Sequence, residues 1–101
     1  MDKEKLLEII ETARTTGKIQ KGSNEATKAI EKGEAKIVVA ATDVSPKEII
    51  MHLPLLCKDK NVKYFEVPSK EELGAAAGLE VGTAAVAVTK EGDSKALIEA
   101  L

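Results

Sequence analysis

A chain of 101 residues has room for one hydrophobic core, and its 44% hydrophobic content is almost wholly aliphatic. With one Phe, one Tyr and no Trp, the core must be Ile, Leu, Val and Ala, and the aromatic platforms on which single-stranded nucleic acid stacks are lacking. A net charge of −2 argues against indiscriminate attachment to a phosphate backbone.

Residues 3–16 read as an amphipathic helix, with Leu6, Leu7, Ile9, Ile10 and Ala13 as its apolar stripe and Gly17 as its stop. Lys18 to Lys21 is a short strand with a polar open side, followed by a helix over 23–32. That helix turns Ala26, Ala29 and Ile30 inward, shows Asn24, Lys28, Glu31 and Lys32 outward, and ends at Gly33. Ile37-Val38-Val39-Ala40-Ala41 is a continuous apolar run, the mark of a strand covered on both faces. The polar turn Thr42 to Pro46 leads into a third helix from Lys47 through Cys57, with Pro46 in its first turn and Pro54 kinking or dividing it. Val62 to Val67 is the next strand. Ser69 then caps a helix with Glu72 at its third position; Leu73, Ala76 and Ala77 face inward and Gly78 closes it. After the loop Leu79 to Thr83 come a buried strand, Ala84 to Thr89, and a last helix over 93–101 capped by Asp93 or Ser94. This alternation predicts one α/β domain over 1–101, a three-layer α/β/α sandwich around a small mixed sheet.

The lone Cys57 excludes an internal disulfide and points to a reducing compartment. No apolar run nears the roughly twenty residues that span a bilayer, and Met1 to Lys5 carries no signal core, so a soluble, cytoplasmic protein with no membrane partner is expected. Enzymatic and metal signals are poor. His52 has no companion ligand, and Cys57 lies in an apolar row that suits an inert buried thiol. Neither a dinucleotide fingerprint nor a Walker loop is present, so no cofactor, no metal and no catalytic set are expected. Asp43, at the end of the central strand, is the one carboxylate placed where an active site could lie; capping the turn is its plainer role.

Charge is unevenly spread. Between Arg14 and Lys36 six basic residues face three acidic ones, leaving +3 there and −5 elsewhere. In open α/β sheets ligands gather in the loops beyond one set of strand ends, and three loops qualify: Lys21 to Asn24, Thr42 to Pro46 and Leu79 to Thr83. Within Lys21-Gly22-Ser23-Asn24-Glu25-Ala26-Thr27-Lys28, a helix start offers free N–H groups, while Glu25 or Asn24 shares a face with Lys28. An amide, a carboxylate and an ammonium together suit a nucleotide edge better than bare charge attraction; the plainer reading is a solvated surface helix.

Gly22-Ser23-Asn24-Glu25-Ala26-Thr27-Lys28-Ala29, His52-Leu53-Pro54-Leu55-Leu56-Cys57 and Leu73-Gly74-Ala75-Ala76-Ala77-Gly78-Leu79-Glu80-Val81 together resemble the archaeal kink-turn-binding ribosomal proteins of the L-seven-Ae family. Relatives in that family include the eukaryotic core protein of box C/D and spliceosomal ribonucleoproteins. The resemblance covers nearly the whole chain and implies the sandwich fold. It also implies binding to kink-turns or kink-loops, bent duplexes with tandem sheared G·A pairs, in ribosomal RNA and in box C/D and H/ACA guide RNAs. Ribosomal and guide-particle proteins would be its partners, and the free protein would be a monomer. On this footing Asn24, Glu25 and Lys28 read the sheared guanines: Lys28 donates to O6 and N7, Glu25 accepts from base N–H groups, and the Asn24 amide does either. Lys21 and Lys32 meet phosphates, and Gly22 lets backbone come close. The implied contact set is completed by Ser23, by Asp43 and Val44 in the second loop, and by Leu79, Glu80, Val81, Gly82 and Thr83 in the third, where aliphatic groups support an extruded nucleotide. Two positions depart from the family pattern: Ser45 replaces a carboxylate before Pro46, relaxing the preference at that nucleotide. Gly82 replaces a proline, which makes the loop more mobile and raises its ordering cost. A scaffold domain of this fold with weakened RNA binding, or a small enzyme using the Asp43 loop, are the alternatives.

Overall fold

The computed structural model describes residues 3–101, so Met1 and Asp2 of the polar start lie outside the described residues. Helix α1 (Lys3–Thr16) sinks Leu6, Ile9, Ile10 and Ala13 completely, the stripe its spacing demands, and the Gly17 N–H closes it on the Ala13 carbonyl at 2.8 Å. The chain continues through β1 (Lys18–Lys21), α2 (Ser23–Glu31), β2 (Ile37–Ala41), α3 (Glu48–Met51), α4 (Leu53–Asp59), β3 (Lys63–Val67), α5 (Lys70–Ala76), β4 (Ala85–Lys90) and α6 (Lys95–Glu99).

The sheet order is β1-β4-β2-β3, with β2 and β3 parallel and β4 antiparallel to both its neighbours. The sheet is therefore mixed, and β1 and β3 are its edges. All five residues of β2 and the first four of β4 are buried, as strands sheathed by helices on both sides must be. Helix α1 packs on α5 and α6, and α2 packs on α4, which gives the two outer layers. One continuous aliphatic cluster fills the space between layers.

The helix after Pro46 is divided, one of the two outcomes expected of Pro54, into α3 and α4, which meet at His52. Pro54 has no N–H to return to Ile50 and sits in the first turn of α4, so the ladder breaks just ahead of it. Pro46 itself precedes the helix, and only Ile50, Leu53 and Cys57 of this region are buried, while Met51 and Leu55 are exposed. At the C-terminus a 3₁₀ turn (Gly92–Ser94) replaces the first turn of the predicted helix. Neither Asp93 nor Ser94 caps α6: the Ser94 hydroxyl donates to the Glu91 carbonyl at 2.7 Å, and the Asp93 N–H donates to Thr16 Oγ1 at 2.8 Å. The cap on α5 forms as read, with Ser69 Oγ accepting from the Glu72 N–H at 3.2 Å. The Glu72 carboxylate does not complete the reciprocal box, because it pairs instead with Lys3 at 3.0 Å.

Cys57 is fully buried, and burial pushes its thiol up to about 11. Iodoacetamide at pH 8 should therefore leave Cys57 unmodified in the folded protein and alkylate it in urea. Labelling of the folded protein at the free-thiol rate would mean that α4 does not seal the core. On β3, burial first and then the bond from the Tyr64 hydroxyl to Glu66 Oε2 (2.8 Å) raise the Tyr64 phenol above its ordinary value.

Candidate nucleic-acid interface

Because β4 runs against its neighbours while β1, β2 and β3 run together, three strand-to-helix loops leave the same end of the sheet, and the loop into β4 enters there. A chain of hydrogen bonds ties them to one another. The carbonyl of Ala85 accepts both the Gly22 N–H (2.7 Å) and the Thr83 hydroxyl (3.3 Å), which joins the start of α2 to the 79–83 loop. The Thr83 N–H donates to the Lys70 carbonyl at 3.0 Å, and the Lys70 N–H donates to Asp43 Oδ1 at 2.8 Å, which joins that loop to the second one. The three loops singled out in the sequence thus meet at Ala85 and Lys70.

Gly22 precedes α2 at φ 99°, a conformation that side-chain-bearing residues resist, while the space beside it is open. It offers no capping side chain, so the first N–H groups of α2 stay free of a side-chain partner. Asn24, Glu25 and Lys28 are exposed on the first turns, with the Lys28 ammonium 3.6 Å from the Glu25 carboxylate. An exposed pair of this kind contributes only about 0.3–0.5 kcal/mol to a helix, so both groups remain available to a ligand. Lys21 and Lys32 are also exposed, and Gly22 and Ser23 are half-buried. Thr27, between the exposed positions, lies 2.7 Å from His52 Nε2 and pins α2 to the α3–α4 junction, a role for His52 that its lack of companion ligands could not reveal.

In the third loop Val81 is 70% exposed and Glu80 is exposed, while Leu79 is half-buried against the core. The loop is anchored at both ends, by the Leu79 N–H on the Gly74 carbonyl (2.8 Å) and by Thr83 on Lys70. Gly82 lies against α5: a Cβ there would come 2.9 Å from Lys70 Cγ and 3.2 Å from the Lys70 backbone. The glycine at this departure thus sits where a side chain would crowd the start of α5. Gly74, a residue the sequence reading left without a role, matters more. A Cβ at Gly74 would lie 2.1 Å from the Val81 carbonyl oxygen, so the loop can reach its position only because that helix site has no side chain.

Val44 and Thr83 stand differently from the other implied contacts. Both are buried, Val44 in the core and Thr83 with its hydroxyl spent on Ala85, so neither side chain faces a ligand. Asp43 is exposed, and one carboxylate oxygen accepts the first N–H of α5, a long-range cap and not the cap of its own turn that the sequence suggested. Among the described residues no group of three or more His, Cys, Asp and Glu gathers as a metal site would require, and no helix is long and apolar enough to cross a membrane.

Residues 4–98 match the model of the Ribosomal protein L7Ae/L30e/S12e/Gadd45 family. The chain belongs to this family. The solved structure of the Giardia lamblia 15.5kD RNA binding protein resembles this member of the L7Ae/L30e/S12e/Gadd45 family with a TM-score of 0.92 and 34% identity, over 97% of this chain and 82% of that one. At that level the likeness covers the four-stranded mixed sheet and both helical layers, and not a fragment of them.

Proposed function

We propose that this protein binds structured RNA and recognises kink-turns through their tandem sheared G·A pairs. The observation that carries the reading is the tie between α2 and the 79–83 loop at the Ala85 carbonyl. It sets Asn24, Glu25 and Lys28 and the exposed Val81 around one end of the sheet. A polar trio able to read purine edges beside an aliphatic prop suits a folded RNA with an extruded nucleotide, and not a flexible strand. The family, and a similar structure described as an RNA binding protein, support it.

Within this proposal Asn24, Glu25 and Lys28 take base edges. Lys21 and Lys32 take phosphates, the backbone at Gly22 and Ser23 approaches the RNA, and Leu79, Glu80, Val81 and Gly82 form the second wall. Asp43 acts by holding α5 beneath that wall. The chain works as one RNA-binding unit over residues 1–101, a cytoplasmic monomer when free. It nucleates particles with ribosomal RNA or with box C/D and H/ACA guide RNAs and their proteins, and it performs no catalysis.

Electrophoretic shifts on a kink-turn RNA, beside a copy with its G·A pairs replaced by Watson–Crick pairs, test the reading; equal affinity for the two would overturn it. Lys32 lines a small cleft with Gln20, Glu25, Lys28 and Glu34 at the end of α2. Lys32→Ala should weaken binding to both RNAs alike and flatten log K against log salt by about one unit, the signature of a single lost phosphate contact. Loss confined to the kink-turn would instead make Lys32 a base reader.

A further inference from the structure

At the other end of β1 the molecule has a second basic concavity that the kink-turn reading does not use. Lys18, Lys36 and Lys90 line a groove of about 340 Å³ together with Gln20, Glu34 and Thr89. Lys18 and Lys90 are direct partners across β1 and β4. Lys36 reaches β4 from its other side, with its N–H on the Val88 carbonyl at 2.7 Å. Like charges set opposite each other on neighbouring strands oppose sheet formation. All three lysines are exposed and none forms an ion pair among the described residues, although Glu34 lines the same groove. An anion seated among them would remove that repulsion.

The groove is also continuous with the proposed interface. Gln20 and Glu34 line both this groove and the cleft that holds Glu25, Lys28 and Lys32. Along β1 the step from Lys21 to Lys18 is about 10 Å at the usual strand rise. Gln20 and Glu34, one neutral and one acidic, thus lie between the two basic clusters.

We propose that Lys18, Lys36 and Lys90 form a second RNA anchor, holding the sugar–phosphate backbone of a stem that continues past the kink. The proposal rests on the kink-turn reading and extends it from the bend to a flanking duplex. Three ammonium groups in one groove fit a backbone contact, which adds affinity and orients the stem.

The test compares the protein with a variant carrying Lys18→Ala, Lys36→Ala and Lys90→Ala, on RNAs that share one kink-turn. One RNA is trimmed close to the kink, and two others are lengthened on one stem each. On one lengthened RNA the variant should bind about tenfold or more weaker, and its salt slope should fall by about 2–3 units, at ~0.7–0.9 per phosphate. On the trimmed RNA it should match the unsubstituted protein. Unchanged affinity and slope on both lengthened RNAs would overturn the anchor and leave the groove to another class of partner, such as an acidic protein segment. An equal loss on the trimmed RNA would also overturn it, since the lysines would then act at the kink itself. Failure of the parent reading looks different: the unsubstituted protein would no longer distinguish the kink-turn from its G·A-replaced copy.

Discussion

Gly74→Ala should weaken kink-turn binding by about ten- to a hundredfold and lower the melting temperature, although alanine is the better helix former. Propensity alone favours the alanine by about 1 kcal/mol in a helix interior. Against it stands a Cβ 2.1 Å from the Val81 carbonyl, where ordinary contact begins near 3.4 Å. That oxygen belongs to backbone, so the loop must move outward by more than an ångström or α5 must tilt. Overpacking of this kind costs about 1–3 kcal/mol, which reverses the sign that propensity predicts. The displaced element carries Val81, whose burial against a ligand is worth ~1.5–3 kcal/mol, and one decade of affinity is about 1.4 kcal/mol. Binding and melting temperatures equal to those of the unsubstituted protein would show that the loop does not depend on the bare site at Gly74.

Lys28→Ala should cost ~1–3 kcal/mol of kink-turn binding, the worth of a good purine-edge contact, while the affinity for the G·A-replaced RNA falls far less. Folding stability should hardly move. Among the described residues Lys28 pairs with Glu25 alone, at 3.6 Å on an exposed surface, a pair worth a few tenths of a kcal/mol. Removing the ammonium also leaves the Glu25 carboxylate facing an anionic ligand alone, which pushes the loss toward the upper end of the range. Isothermal titration of both RNAs at several salt concentrations separates the two roles that a lysine can play. If only the salt slope changed, and by the same amount for both RNAs, Lys28 would be a phosphate contact and the assignment of the trio would fail.

Much of this arrangement is written locally. The helical spacing of Leu6, Ile9, Ile10 and Ala13, the apolar run at Ile37 to Ala41, and Ser69 three residues before Glu72 each fix their element by near-neighbour physics, and each stands as read. The exposure of Asn24, Glu25 and Lys28 follows equally from the inward turn of Ala26, Ala29 and Ile30 on the same helix. What escaped the sequence is decided between segments far apart in the chain. That β4 enters between β1 and β2, and so brings Ala85 between Gly22 and Thr83, depends on strand order, on which an apolar run is silent. The burial of Val44 and Thr83 depends on what lies across from them. The role of Gly74 depends on a backbone oxygen seven residues away that folds back onto its helix. A glycine inside a helical pattern was the one available hint, since it gives up helix stability with no local gain.

The short outer strand β1 has a consequence for how copies of the molecule treat one another. Its open side offers unpaired backbone groups, the usual template for intermolecular strand addition and aggregation. With only four residues and a lysine at each end, it defends itself in either orientation. Two copies stacked head to tail would set Lys18 against Lys21, and two stacked in parallel would set each ammonium against its twin. Crowded solutions of this protein should accordingly stay dispersed, and polyanions or high salt, which blunt that mutual repulsion, are the conditions under which the guard is lowered.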